Sequence, residues 1–158
     1  MKKAFVLGIV LLCLSCSGRQ TTTSSEDKYN FAQLQTKVRE YYQHADCDSV
    51  HETDDLISFA CLGIAGCTLS EVMQKYGFPI DNNILKDYKS GDGEGSLLWH
   101  LSSVLKAVGI NNPIDAFELI WTPHENKDLV VTVFFIAADT QLIAVSGEQE
   151  NRAIYLME

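Results

Sequence analysis

The residues best suited to chemistry lie in one short stretch, His44-Ala45-Asp46-Cys47-Asp48-Ser49-Val50-His51, where two imidazoles and a thiol stand among carboxylates. These are the ligand types that hold zinc or copper, and His44, Cys47 and His51 are the candidate ligands. No fourth ligand is evident and no second Cys/His pair follows, so the stretch reads as a polar loop and no cofactor is expected. Cysteine catalysis is the other chemistry on offer, with Cys47, Cys61 and Cys67 as thiols and His100 and His124 as distant bases. It needs a thiolate held against an imidazole, and Cys61 lies in an apolar run where burial raises the thiol pKa and quenches it. The chain holds no Gly-x-Ser-x-Gly and no His-Glu-x-x-His. Its glycine-rich run, residues 91–95, lacks the Lys and Thr of a phosphate loop, and its acidic residues repel phosphate. The spacings therefore point away from an enzyme.

Composition narrows the setting. Met1-Lys2-Lys3, an apolar run over residues 4–15 and then Cys16 have the layout of a secretory signal. The run is too short to span a bilayer. Leu14-Ser15-Cys16 resembles the lipobox of bacterial lipoproteins, in which the signal is cut before a cysteine that becomes the acylated N-terminus. Cys16 is thus the expected lipidation site, although Cys13 stands where that motif usually has Leu. Residues 1–15 form the signal, residues 16–29 a Ser/Thr-rich tether, and residues 30–158 a single domain. With 12 Lys plus Arg against 21 Asp plus Glu, the formal charge of −9 argues against nucleic acid and against electrostatic attachment to anionic lipid. Membrane contact must come through the acyl chains, each buried methylene contributing about 0.8 kcal/mol. Export makes a disulfide possible, and an odd number among Cys47, Cys61 and Cys67 leaves one unpaired whichever two join.

The elements that would position any site follow from periodicity. Residues 30–44 place Phe31, Leu34, Val38 and Tyr41 on one helical face, with Asn30 as the cap. Residues 56–64 form an apolar run too short for periodicity to decide between helix and buried strand, and a short helix from Asp54 to about Cys61 is expected. Over residues 66–79 all local signals agree. Thr68 and Glu71 make a capping box, and Cys67 and Val72 stand at the two staple positions. Leu69, Val72, Met73 and Tyr76 form an apolar face; Gly77 stops the helix and Pro79 prevents its resumption. Residues 81–89 are mixed in character and residues 89–95 read as a mobile loop. Ser96 caps a helix with Leu97, Leu98, Leu101, Val104, Leu105 and Val108 on its apolar stripe and Gly109 at its stop. The period then becomes strand-like over residues 117–121, 129–136, 142–145 and 153–157, with hairpin-length turns between them. The fold class expected is α+β, with N-terminal helices packed on one face of a three- to four-stranded antiparallel meander.

The order of these parts resembles the SmpA/OmlA family of small outer-membrane lipoproteins, the BamE-like proteins, whose architecture is shared with the repeat of β-lactamase inhibitory proteins. Gly66, Thr68, Glu71, Val72, Gly77 and Pro79 match the family's first motif. Trp121 with Val131, Val133 and Phe135 resembles its later Trp strand and hairpin. The likeness covers residues 54–146, and the helix at residues 30–44 and the loop and helix at residues 91–108 are additions to the pattern. The matched residues are structural in the family, so the resemblance carries over no partner-binding residue. It implies a lipid-anchored outer-membrane protein of the envelope that binds protein as an accessory of outer-membrane protein assembly; the lack of an acidic run just after Cys16 points to the periplasmic face. A small thiol- or metal-dependent envelope enzyme and an inhibitor of a secreted hydrolase are the alternatives. Trp99 and Trp121 are expected in the core; if exposed, either becomes the first candidate for a binding hot spot. The loop at residues 89–95 and the turn at residues 123–127 are the other surfaces to watch.

Overall fold

The computed structural model describes residues 29–48, 59–92, 95–123 and 127–151. The expected signal, the lipidation site Cys16, the tether up to residue 28, His51, His124 and the strand at residues 153–157 lie outside them. Helix α1 spans Phe31–Tyr42, α2 Leu69–Tyr76 and α3 Ser96–Ala107. Strands β1 (Asp81–Tyr88), β2 (Ile114–Trp121), β3 (Leu129–Ala138) and β4 (Gln141–Asn151) form one antiparallel sheet in the order β1-β2-β3-β4. This is the α+β class with a four-stranded meander.

The helix ends are set by the residues the sequence offers. The Asn30 side chain accepts the Gln33 N–H at the start of α1. At α2 the two halves of the capping box are both made: the Glu71 carboxylate accepts the Thr68 N–H at 2.7 Å and Thr68 Oγ1 accepts the Glu71 N–H at 3.2 Å. Each bond pairs a backbone donor that helix geometry leaves unsatisfied. Gly77, at φ +82°, closes α2 in a backbone region that side chains other than glycine seldom occupy. At α3 the N-cap position belongs to Gly95 and not to Ser96. Residues 59–61 are helical, which favours the helical reading of that run, while residues 56–58 lie outside the described chain.

The sheet departs from expectation in two places. Residues 81–88, mixed in character, form the edge strand β1, and the chain enters the sheet one helix earlier than the strand-like period suggests. β4 continues through Gly147 to Asn151, where a turn was expected, because Val131 and Val130 pair with Gln149 and Glu150. Gly147 is fixed by contact: a Cβ there would sit 2.3 Å from the Thr132 carbonyl and 3.0 Å from the Phe59 ring.

β3 is the centre of the core. It is buried at residues 130–136 without a break, and since successive strand residues point to opposite sides, both of its faces are covered. All three helices contact β4. The outer edge of β4 is covered by the chain ahead of α2, where the Gly66 N–H donates to the Ala144 carbonyl and the Ala144 N–H to the Cys67 carbonyl, both at 2.8 Å. A bulge in β4 sets Phe134 opposite Ser146 and Phe135 opposite Ala144, leaving Val145 without a ladder partner. The buried Tyr42 hydroxyl donates to the freed Val145 carbonyl at 3.0 Å, tying α1 to the sheet. The hydroxyl's burial holds the Tyr42 pKa far above its ordinary value.

Candidate functional site

The candidate chemistry at residues 44–51 resolves into a structural link. Cys47 is disulfide-bonded to Cys61, so its sulfur is not available to a metal or as a nucleophile. The pairing joins the chain after α1 to the helical turn at residues 59–61 and leaves Cys67 as the free thiol. Among the described residues no group of three His, Cys, Asp or Glu side chains is placed to hold a metal. The Cys67 thiol is partly buried just before α2, and desolvation, followed by the nearby Glu71 carboxylate, raises its pKa above 9.0. It is therefore protonated at neutral pH, the opposite of what a nucleophilic thiol needs. His44 shares a hydrogen bond with the neighbouring Gln43 side chain, and His100 stacks edge-on against Trp99.

The motif residues do come together, and what they build is a frame. Trp121, fully buried at the end of β2, donates its indole N–H to the Gly77 carbonyl at 3.0 Å. Its ring packs between Tyr76 of α2 and Phe135 of β3. The stop of α2 is thus pinned to the sheet by the residue that the sequence singles out for the second motif. Val72 is fully buried beneath α2. Gly66, at φ +70°, packs so closely on α1 that a Cβ would stand 2.9 Å from Arg39 Cγ. Its carbonyl accepts the Gln35 side-chain amide at 2.7 Å. The Glu71 carboxyl is held below its ordinary range, first by the Thr68 N–H and then by the Thr68 hydroxyl. Pro79 follows Phe78 in the link from α2 to β1.

This frame presents an apolar surface. Along the exposed flank of α2 a shallow groove of about 400 Å³ is lined by Leu69, Ser70, Met73, Gln74, Gly77 and Phe78. Phe78 is 82% exposed and Ile80 61%, and Ile84 on β1 is 47% exposed. The two residues that flank Pro79 are thus turned to solvent just after Gly77, the residue Trp121 holds, and Ile80 is tied by its N–H to the Ile120 carbonyl at 2.7 Å. In the sequence these residues read only as the end of a helix. Two large apolar side chains around a proline in so short a link are the signal that marks them. Trp99, 64% exposed on the first turn of α3, meets the condition set for a hot-spot candidate, whereas Trp121 does not.

No protein family, curated protein or solved structure matches the chain. No helix among the described residues is long and apolar enough to cross a membrane.

Proposed function

We propose that this chain is a lipid-anchored, non-enzymatic module of the cell envelope that binds protein, an accessory of outer-membrane protein assembly on the periplasmic face. The observation that carries the reading is the exposure of Phe78, which lines the groove of α2, and of Ile80 and Ile84 in the chain that follows. Large apolar side chains held in water by a rigid frame cost solubility and are the usual anchors of protein interfaces. The lipobox-like Leu14-Ser15-Cys16 supports the anchor, and the Cys47–Cys61 disulfide is of a kind that persists in oxidising compartments such as the periplasm. The resemblance to the SmpA/OmlA family supports the assembly role.

The test is in-cell crosslinking of the tagged full-length protein, with Cys16→Ser as the unanchored control. Recovery of β-barrel assembly components with the intact anchor and their loss in the control is the expected result. Recovery of a single secreted hydrolase, or turnover of an envelope substrate by the purified protein, overturns the reading.

A further inference from the structure

Two of the exposed apolar side chains, Phe78 and Ile80, stand at the end of the sheet where the chain leaves β4. Asp81, Ile120, Thr132 and Glu148 lie side by side across the four strands. Phe78 stands three residues before Asp81 and Asn151 three residues after Glu148, so in this antiparallel sheet both project past the row in the same direction. Three strand spacings set them about 14 Å apart. Alternation along β1 puts Ile80 and Ile84 on the face that bears Phe117, Leu119 and Trp121. It is the face on which α2 lies, since the Trp121 indole reaches the Gly77 carbonyl. Trp99 belongs to the other end of the sheet, where the hydroxyl of Tyr88, the last residue of β1, donates to the Leu98 carbonyl.

After Asn151 the chain reads Arg-Ala-Ile-Tyr-Leu-Met-Glu, residues 152–158, with large apolar side chains at four successive positions, 154–157. β3 begins at Leu129, the partner of Asn151, so the ladder that β4 follows stops there. An extended chain carries positions 154–157 between about 10 and 20 Å from Asn151, which brackets the distance to Phe78.

We infer that the segment after β4 folds back across this end of the sheet and lays residues 154–157 over Phe78, Ile80 and the groove of α2, a cover that a partner must displace. Ordering the segment offsets most of what the apolar contact contributes, so the cover is reversible and its loss leaves the core untouched. The inference rests on the protein-binding reading for the displacement alone; the cover itself is a property of the single molecule.

The experiment places the photo-crosslinking residue p-benzoylphenylalanine at position 78 or position 99 of the purified full-length protein. Isotopically light and heavy preparations are mixed, and each adduct is mapped by mass spectrometry. The expected result is an adduct from position 78 to residues 152–158 within one molecule, all light or all heavy, and none from position 99. Its yield should fall about fivefold or more with Ile154→Ser and Leu156→Ser together, while the thermal midpoint stays in place. Adducts that join light to heavy, equal yields from the two positions, a yield indifferent to the serine pair, or no adduct to this segment each overturn the inference. A thermal midpoint lowered by the serine pair overturns it too, since these residues would then be core. The same variants in their own cells separate cover from partner. Partner adducts at position 78 that rise with the serine pair support both, and partner adducts indifferent to it overturn the displacement. Partner adducts without the segment's adduct leave protein binding standing alone; the segment's adduct without any partner leaves the cover standing alone.

Discussion

A single carboxylate gives the clearest handle at the scale of the residue. Glu71 is fully ionised at neutral pH in both states, but its folded pKa lies below the ordinary 4.5 because Thr68 donates to it twice. A depressed folded pKa contributes stability that is present above 4.5 and lost as the pH falls through the folded value. Urea unfolding should therefore show Glu71→Gln less stable than the parent at pH 7, with the gap closing as the pH falls below 4.5. Thr68→Ala removes the other half of the box and should cost about 1 kcal/mol. Trp121→Phe keeps an aromatic ring in the core but leaves the Gly77 carbonyl without its indole donor. Loss of about 2 kcal/mol is expected in the same assay, from the bond and the smaller ring together. Cys67 should alkylate more slowly than an unfolded cysteine at pH 7, because burial raises its pKa; peptide-resolved mass spectrometry reads this directly.

Among the elements, the legible ones were those whose local chemistry agreed with their environment. α1, α2 and α3 each carry a helical stripe, α2 and α3 with a stop residue behind it, and β2, β3 and the first half of β4 are rich in β-branched and aromatic side chains. β1 was hidden because Asp81-Asn82-Asn83 and Lys86-Asp87 are poor strand formers; pairing with β2 overrides that preference, as an edge strand in water permits. The far half of β4 was hidden for the same reason, its Gly-Glu-Gln-Glu-Asn run having the composition of a turn. The frame of the candidate site was readable in Gly66, Thr68, Glu71, Val72, Gly77, Pro79 and Trp121. Its exposed apolar residues Phe78, Ile80 and Ile84 were not, because exposure depends on how the chain is placed in space. The pairing of Cys47 with Cys61 likewise depends on distance in space. That disulfide closes a loop with a separation of 14 residues, for which chain entropy predicts about 3 kcal/mol of stabilisation. Cys47→Ser with Cys61→Ser should lower the unfolding free energy by about that amount in urea titration, and reductant should have no further effect on the double variant.

For the whole molecule, the core and the exposed apolar residues proposed to bind lie at different positions, so stability and the proposed binding can be tested apart. Phe78→Ser alters a side chain that is 82% exposed and should leave unfolding within about 0.5 kcal/mol of the parent while weakening partner capture. A core change such as Val72→Ala should do the reverse in sequence, lowering stability by about 2 kcal/mol first and capture only through loss of folded protein. The two edges of the sheet are treated differently as well: β4 is covered by residues 66–68, while β1 faces solvent with its own side chains on its N–H groups. One detail at the start of the domain sets how the molecule answers to pulling. The Asp139 N–H donates to the Tyr29 carbonyl and the Phe31 N–H to the Asp139 carboxylate, so the chain at the start of α1 is clipped to the turn between β3 and β4. Tension on the chain ahead of Tyr29 therefore enters at the tip of the longest hairpin and is shared with its ladder before α1 can peel away. The clip is a strain relief for the fold.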